Sequence, residues 1–176
     1  VRNRRVLDTL KEALLVLSGA FDGLYDQVAI AAFNSHTRHR CTYLPIKAFK
    51  DDWSKVNQRI LSLVPSGYTR IGPALRHSMF LLEQIKARKK VLFLLSDAKP
   101  TDFDQYEGHH GLCDIRRAVL EGLGKNIKIK ALTVADKKAK HFYFMFGQGN
   151  FEYLEGAKQL STTVFDTYLK LLRGRG

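Results

Sequence analysis

The side chains best suited to chemistry lie where a buried strand meets a loop. The apolar run VLFLLSD (91–97) ends in Asp97, and the loop SGYTRIG (66–72), before the preceding helix, carries Thr69. Ligands of open α/β sheets bind beyond the carboxyl ends of strands. Mg²⁺ prefers such hydroxyl and carboxylate oxygens and keeps several waters. The pair therefore predicts a partial magnesium site. The alternative is that Asp97 caps its own turn and Thr69 caps the helix.

A long polar loop follows Asp97 and concentrates acidic and aromatic side chains. It spans residues 98–111, and loops of this length without secondary structure are often functional. We predict that it forms, with the loop that carries Thr69, the rim of the site and contacts a partner. The predicted rim residues are Ser66, Gly67, Arg70, Lys99, Asp102, Asp104, Tyr106 and Glu107. The alternative is that Asp102 and Asp104 make turn contacts while Tyr106 packs inward as a lid.

The histidines and cysteines do not predict a metal site or a disulfide. His109 and His110 are adjacent, an arrangement that rarely ligates one metal, and we count no cysteine or third histidine near them, so a zinc site is not favoured. Cys41 and Cys113 fall on different predicted elements and form neither a disulfide framework nor a metal-ligand spacing.

Two further groups admit two interpretations each. Asp114 opens the helix after the loop together with Arg116 and Arg117, where it suits either the first helical turn or an internal ion pair. The aromatic run FYFMF (142–146) is either core or an exposed patch for a partner.

Composition indicates a globular protein. The 176 residues are 45% hydrophobic and 26% charged, and no apolar run reaches the length of about 20 residues that spans a bilayer. Charged residues interrupt the apolar N-terminal run at helical spacing, so it predicts an amphipathic helix rather than a signal peptide, and we expect a cytoplasmic location. The net charge of +12 favours acidic partners, but the basic residues are scattered and make nucleic acid an unlikely ligand.

Periodicity predicts helices alternating with strands. Helices are expected at 4–18 and 52–63, from Pro73 with Leu75, Met79, Leu82 and Ile85 inward, after the loop with Ile115, Val119 and Leu123 inward, and at the end with Leu160, Val164, Tyr168 and Leu172 aligned. Strands are expected at 27–35, 41–49, 90–97, 127–135 and 150–154, with a helical or irregular piece at 138–147.

This alternation predicts an α/β fold with three layers, in which a doubly wound, mostly parallel sheet has helices on both faces. We expect one domain over residues 1–176. Pro45 places the second strand at a sheet edge, because proline cannot donate to the ladder.

Two segments carry a family resemblance. GYTRIGPALRHS followed by LLSDAKP resembles the von Willebrand factor A (vWA) fold, in which a threonine loop and a strand-terminal aspartate belong to a metal-ion-dependent adhesion site (MIDAS). More specifically, SDAKPTDFDQYEGHHGLCDIRRAVLEG is similar to the NorD/CbbO-type activation proteins, which carry the run TDGKP-x-D-x-D-x-YEG-x-x-G-x-x-D-x-R-x-A. The resemblance covers nearly the whole chain.

The resemblance implies that Thr69 and Asp97 are metal ligands, with Mg²⁺ as the cofactor. Ser96 and Ala98 replace the threonine and glycine usual beside Asp97, and nothing matches the first metal motif, Asp-x-Ser-x-Ser. That motif ends a central strand in this fold, so the strands at 27–35 and 91–97 would face an empty slot. We therefore expect the chain to be the later part of a longer protein.

The resemblance also implies a function. It is that of a metal-dependent interaction domain, not an enzyme, that works with a MoxR-type AAA+ ATPase to activate a metalloenzyme such as nitric oxide reductase or Rubisco. A partner's carboxylate would complete the metal's coordination. Two alternatives stay open: a magnesium-dependent phosphoryl-transfer enzyme with Lys99 on the phosphate, and a basic nucleic-acid-binding module.

Overall fold

A computed structural model of the chain describes residues 2–22, 27–96, 99–133, 141–154 and 157–173. The sequence predicts one domain, whereas the backbone contacts divide the chain into two compact units. The first comprises Val1–Phe33, Tyr43–Ser66 and Glu155–Gly176, and the second comprises Asn34–Thr42 and Gly67–Leu154.

Helices and strands alternate along the chain as the periodicity predicts. In chain order the elements are α1 (Arg2–Phe21), β1 (Ile30–Thr37), β2 (Arg40–Lys47), α2 (Val56–Leu61), α3 (Ile71–Glu83), β3 (Lys90–Leu95), α4 (Gly108–Gly124), β4 (Ile127–Thr133), α5 (His141–Phe146), β5 (Phe151–Tyr153) and α6 (Ala157–Arg173). Within the described ranges, no helix is long and apolar enough to cross a bilayer.

The first unit is built around α1, which packs against α2 and α6. Ile46, Val56 and Ile60 are buried, and Leu14 and Leu15 of α1 pack against them. Burial of these aliphatic side chains is the main stabilising contribution of the unit. At the other end of α1, the ring of Phe21 meets that of Tyr168 edge to face, with centroids 5.3 Å apart.

The second unit holds a parallel sheet in the order β3-β4-β5, flanked by helices. Its fold is therefore the mixed α/β arrangement that the sequence predicts. Leu75 and Met79 of α3 are buried, as are Ile115 and Val119 of α4. The two helices pack together, and the close approach of α4 to the sheet depends on Gly122, where an added Cβ would lie 2.6 Å from Cδ1 of Ile129.

The strands β1 and β2 form a sheet of their own. Two residues join them, a connection that only an antiparallel hairpin permits. The single mostly parallel sheet of the prediction is thus two sheets in the described part of the chain. Among the named strands of that part, β3 pairs with β4 and β1 pairs with β2.

Several predicted boundaries and faces are wrong. α2 covers only Val56–Leu61, and α3 begins two residues before Pro73. The polar loop is shorter than predicted because α4 begins at Gly108, so that Asp114 does not lie in its first turn. Leu123, predicted to face inward, is 57% exposed. Leu120, one turn earlier in α4, is exposed as well, so the last turns of this helix present leucines to solvent.

Candidate functional site

The loop that carries Thr69 is fixed between two neighbouring segments of the second unit. The backbone of Tyr68 exchanges two hydrogen bonds with that of Ser35 in β1, at 2.8 and 3.0 Å, and the backbone of Thr69 exchanges two with that of Thr101, at 3.0 and 3.2 Å. Four bonds outside regular strands hold this loop far more firmly than an isolated cap would. The interpretation of Thr69 as a helix cap gains no support, since the N-terminus of α3 has Arg70 as its cap residue and no side-chain hydrogen bond.

Glycine is required at position 67 for this arrangement. Gly67 has a φ of +64°, in the left-handed region, and an added Cβ would lie 2.5 Å from the carbonyl oxygen of Ser35. The close approach of the loop to β1 therefore depends on the missing side chain.

The second predicted ligand, Asp97, lies with Ala98 outside the described residues. Its flanks are described: Ser96 is buried and its backbone N–H donates to the carbonyl of Leu132 in β4, while Thr101 pairs with Thr69. The loop that carries Thr69 is therefore joined to the segment four residues after Asp97. Coordination of a metal by Thr69 and Asp97 stays a prediction.

The donor atoms described at this edge are oxygens. Ser35 Oγ is buried and has no hydrogen bond of normal geometry within the described part of the chain. It lies beside the Thr69 loop, and Thr69 offers a second hydroxyl. In the described ranges no three His, Cys, Asp or Glu side chains converge as a metal centre. Hydroxyl and carboxylate oxygens fit a hard divalent cation such as Mg²⁺ better than a soft one.

Arg70 organises the acidic loop that follows. Its Nε donates to Oδ2 of Asp102 at 2.8 Å, its Nη2 donates to Oδ1 of Asp104, and its guanidinium lies 4.1 Å from the centroid of the Tyr106 ring. The side chain of Asp102 is fully buried and that of Arg70 nearly so. Arg70, itself a predicted rim residue, thus binds three other rim residues: Asp102, Asp104 and Tyr106.

This ion pair controls the charge state of the loop. Burial has the largest effect and disfavours the Asp102 carboxylate, but the hydrogen bond and the charge of Arg70, with the Phe103 N–H, together outweigh it and leave the pKa of Asp102 below its usual value. The Ser35 hydroxyl also lowers this pKa from a position outside regular hydrogen-bond geometry. Burial likewise opposes the charge of Arg70, whose pKa is nevertheless raised by the hydrogen bond to Asp102 together with the negative charges of Asp102 and Asp104. Both groups are therefore charged at neutral pH.

Tyr106 extends the contacts from the loop into the helices. Its hydroxyl donates to Oδ2 of Asp114 in α4 and accepts from the backbone N–H of Gly72 in α3 at 3.3 Å. Burial, with the neighbouring carboxylate, raises the pKa of Tyr106 well above its usual value, so the phenol is a donor at all ordinary pH. Gly72 must lack a side chain here, since its Cβ would lie 1.9 Å from the Asp114 carboxylate.

Asp114 in turn accepts from Nη1 of Arg76 at 2.7 Å, and Nε of Arg76 donates to Glu121 at 2.8 Å. Of the two interpretations of Asp114, the internal ion pair is confirmed and the first-turn acid is wrong. Arg116 lies over the ring of Phe144, 4.7 Å from its centroid, and joins α4 to α5.

The family's sequence run thus has a structural explanation. Contacts lead without interruption from Asp102 through Arg70, Tyr106, Asp114 and Arg76 to Glu121. We call these six residues the clamp. Gly111 completes it, because a Cβ there would lie 2.8 Å from Pro100 and 2.5 Å from the carbonyl oxygen of Tyr106. The clamp fastens the loop to α3 and α4.

Removing only the hydroxyl of Tyr106 tests the clamp. The variant Tyr106→Phe leaves the buried Gly72 N–H without its acceptor and removes the donor to Oδ2 of Asp114, which keeps its bond from Arg76, so we expect a loss of about 2 kcal/mol of stability. Amide hydrogen exchange of the full-length protein measures this loss as a faster exchange rate over residues 99–121. Tyr143→Phe is the matched control, because Tyr143 is 60% exposed. An unchanged exchange rate in Tyr106→Phe would show that the contacts contribute nothing.

The predicted rim residues divide into two groups. Arg70, Asp102 and Tyr106 are buried, so Tyr106 packs inward as the alternative reading expects. Asp104 is half-buried and also bonds to Arg38, whose backbone N–H donates to its Oδ2 at 2.9 Å. Exposed residues complete the set: Ser66, Gly67, Lys99 and Glu107. A partner could therefore reach this second group directly, while the buried group supports the loop.

Sequence reasoning missed the inward face of the acidic loop and the role of the hairpin. The residues Asp102, Asp104 and Tyr106 recur with a period of two, the spacing of one face of an extended segment. This alternation in the sequence could have predicted the inward face. No sequence signal predicts the contacts of Ser35 and Arg38 from the hairpin, since both are ordinary strand and turn residues.

The structure also shows the surroundings of the histidine pair and of the aromatic run at 142–146. Cys113 lies one turn after His109 on α4, and its Sγ is 3.5 Å from the His109 ring, so the count that found no cysteine near the histidines was wrong. In the aromatic run, Phe142 and Phe146 are buried and Tyr143 is exposed, so the cluster is core with one outward ring.

Sequence comparison finds relatives over almost the whole chain. Protein NorD of Brucella suis biovar 1 is 38% identical over 172 residues, which are 97% of this chain and 27% of that protein. Protein NorD of Stutzerimonas stutzeri is 31% identical over 156 residues, or 88% of this chain and 26% of that protein. The chain is homologous to a segment of NorD. It spans about a quarter of the length of these relatives, and no family model matches it.

Solved structures confirm the fold of this NorD-like segment. Proximal thread matrix protein 1 from the mussel byssus superposes with a TM-score of 0.64 over 93% of this chain and 41% of its own, at 15% sequence identity. A second structure of that protein, with a zinc-occupied MIDAS motif, gives a TM-score of 0.59 at 14% identity. The NorD-like segment has a vWA-like fold, as the resemblance implies.

Proposed function

We propose that this NorD-like segment is a metal-dependent adaptor domain rather than an enzyme. In this proposal Thr69 and Asp97 hold a Mg²⁺ ion at the carboxyl edge of the parallel sheet. When bound, the ion offers an open coordination position to a carboxylate of a protein partner. The cytoplasm is the proposed location.

The observation that supports the proposal most is the pair of backbone hydrogen bonds between Thr69 and Thr101. They hold the threonine loop against the segment that follows Asp97, which is the placement that joint ligation by the two residues needs. The mussel protein, which shares the fold, has a structure with a zinc-occupied MIDAS motif, and this supports a divalent cation as the proposed ion.

The homology to a segment of NorD supports a proposal for the partners. We propose that the domain binds a MoxR-type AAA+ ATPase and that ATP hydrolysis by this ATPase drives activation of a metalloenzyme such as nitric oxide reductase or Rubisco. The chain itself carries no G-x-x-x-x-G-K-[ST] phosphate loop, so ATP hydrolysis is assigned to the partner.

The structure weakens the phosphoryl-transfer alternative. That chemistry needs further carboxylates that converge on the metal, and Asp102 and Asp104 were the nearest candidates. Both are bound to arginine instead: Asp102 to Arg70, and Asp104 to Arg70 and Arg38. A carboxylate engaged in this way is not free to ligate a second position of the metal.

The test is binding of the purified ATPase to the full-length protein with Mg²⁺ or with a chelator. We expect chelation, Thr69→Ala and Asp97→Asn each to weaken binding about tenfold or more, because each removes the ion or a ligand. Thr162→Ala and Asp8→Asn, which change exposed residues of α6 and α1, are the matched controls.

Two results would overturn the proposal. One is binding that is equally strong with chelator and in both ligand variants. The other is turnover of a phosphate ester that depends on Asp97, which would favour the phosphoryl-transfer enzyme.

A further inference from the structure

Three aromatic rings from separate segments meet at the surface of the second unit. His36 of β1 stacks on Phe103, with centroids 5.9 Å apart and planes 13° from parallel, and the ring of Tyr68 lies 6.1 Å from that of His36. Phe103 is 70% exposed and Tyr68 is 38% exposed. We call these three residues the aromatic platform. An exposed phenylalanine stacked in this way leaves one broad apolar face to solvent.

Each ring stands on a fixed backbone. Tyr68 and Thr69 are hydrogen-bonded to Ser35 and Thr101 on either side. The N–H of Phe103 donates to Oδ1 of Asp102 at 2.7 Å, and Asp102 is itself held by Arg70. The platform is therefore preorganised, and little side-chain or loop entropy is lost when a partner covers it.

The charge around the platform is positive. Arg38 follows closely on β1 and its side chain is 73% exposed, and His39 and Lys99 are exposed as well. Of the two neighbouring acidic side chains, Asp102 is ion-paired with Arg70, and the half-buried Asp104 is ion-paired with both Arg70 and Arg38. An apolar centre with a cationic border complements a ligand of opposite charge with an apolar anchor.

We propose that the aromatic platform is a docking surface for an acidic protein segment that carries an apolar anchor residue. The anchor covers Phe103 and Tyr68, and a carboxylate of the segment pairs with the exposed guanidinium of Arg38. Rigid aromatic residues of this kind contribute most of the affinity at protein interfaces. The platform lies beside the Thr69 loop, so the inference deepens the proposed adaptor function and rests on it for the identity of the partner.

A protein segment fits better than a single-stranded nucleic acid. Nucleic-acid grooves follow a phosphate backbone with a continuous basic track and several separate stacking rings. Here two of the rings stack on each other and form one compact spot. The nucleic-acid alternative is kept as an outcome of the test.

The experiment measures fluorescence anisotropy of labelled probes with the full-length protein, in chelator so that the metal plays no part. The probes are a glutamate-rich peptide with two central leucines, its lysine counterpart and oligo-uridine. We expect the acidic peptide alone to bind. Phe103→Ala should weaken it about tenfold, with Phe80→Ala as the matched control because Phe80 is 56% exposed on α3. Arg38→Gln should weaken it about threefold and reduce its salt dependence, with Arg88→Gln as control.

Each outcome decides for or against the platform. Binding of the acidic peptide that Phe103→Ala abolishes supports it. Equal binding in Phe103→Ala and Phe80→Ala, equal binding of both peptides, absence of peptide binding, or preferential binding of oligo-uridine overturns it. If Asp97→Asn loses ATPase binding while Phe103→Ala binds the ATPase normally, the adaptor function is supported and the platform proposal is wrong. If the acidic peptide binds at the platform but the ATPase does not bind at all, the platform is supported and the adaptor function is wrong.

Discussion

Replacement of Arg70 with methionine is expected to destabilise the second unit by about 3 kcal/mol. The variant leaves the buried Asp102 carboxylate without its cation and removes the contact with the ring of Tyr106. The cost is mainly that of an uncompensated buried charge rather than the loss of the ion pair's net contribution. Hydrogen exchange of the full-length protein over residues 67–72 and 99–107 measures the free energy of opening.

A second substitution separates these causes. In the double variant Arg70→Met with Asp102→Asn the stranded charge is gone, so we expect a substantial part of the stability to return. Arg88→Met, at an exposed position, should change nothing measurable. If the double variant is no more stable than Arg70→Met, the charge of Asp102 is not the cause.

The pH dependence gives an independent signature. Because the pKa of Asp102 is depressed in the folded protein, its contribution to stability is present above the unfolded pKa and is lost as pH falls through the folded value. In Arg70→Met only burial remains, and burial favours the protonated form. The stability difference between wild type and variant should therefore begin to shrink above about pH 4, the usual pKa of an aspartate, as the variant takes up its proton. It should shrink further below that pH, as the ion pair of the wild type is lost.

The variant Gly67→Ala is expected to have the second largest effect, about 2–3 kcal/mol. It combines a left-handed backbone, unfavourable for any residue with a Cβ, with a contact of 2.5 Å to the Ser35 carbonyl oxygen. That oxygen cannot retreat without breaking its bond to the N–H of Tyr68. Because Thr69 is two residues away, metal-dependent binding of the ATPase should fall as well.

Gly108→Ala isolates the backbone part of this cost. Gly108 has a similar φ of +61°, but nothing lies within 4 Å of an added Cβ. We expect about 1 kcal/mol for this variant. Thermal unfolding and limited proteolysis near residue 67 measure both changes, and equal losses in the two glycines would show that the contact with Ser35 is unimportant.

The order of the elements was predictable because their apolar residues repeat with clear periods. Val56 and Ile60, Leu75 and Met79, and Ile115 and Val119 all sit at helical spacing and are all buried. The start of α4 was not predictable in this way, since Gly108 and Gly111 disfavour a helix by propensity. Tertiary contacts override that preference: Gly111 is needed for the approach of Pro100.

The candidate site was predictable in part. The sequence identified Thr69 and the acidic loop, but not the direction in which each acidic side chain points. Burial of a carboxylate becomes favourable only when a cation is aligned with it, and Arg70 lies 32 residues from Asp102 in the chain. Nothing local in the sequence encodes that long-range pairing, which is why a solvent-facing rim was expected where half of the residues are internal.

The alternation within the acidic loop has a consequence for how specificity can evolve. Asp102, Asp104 and Tyr106 point toward Arg70 and carry the folding contacts, whereas Phe103 and Gln105 between them are exposed. The family's run, as the resemblance gives it, leaves these two intervening positions unspecified. One extended segment thus carries inward side chains that hold the fold and outward side chains that are available to a partner. Substitutions at the outer positions can retarget the protein to new partners at little cost in folding.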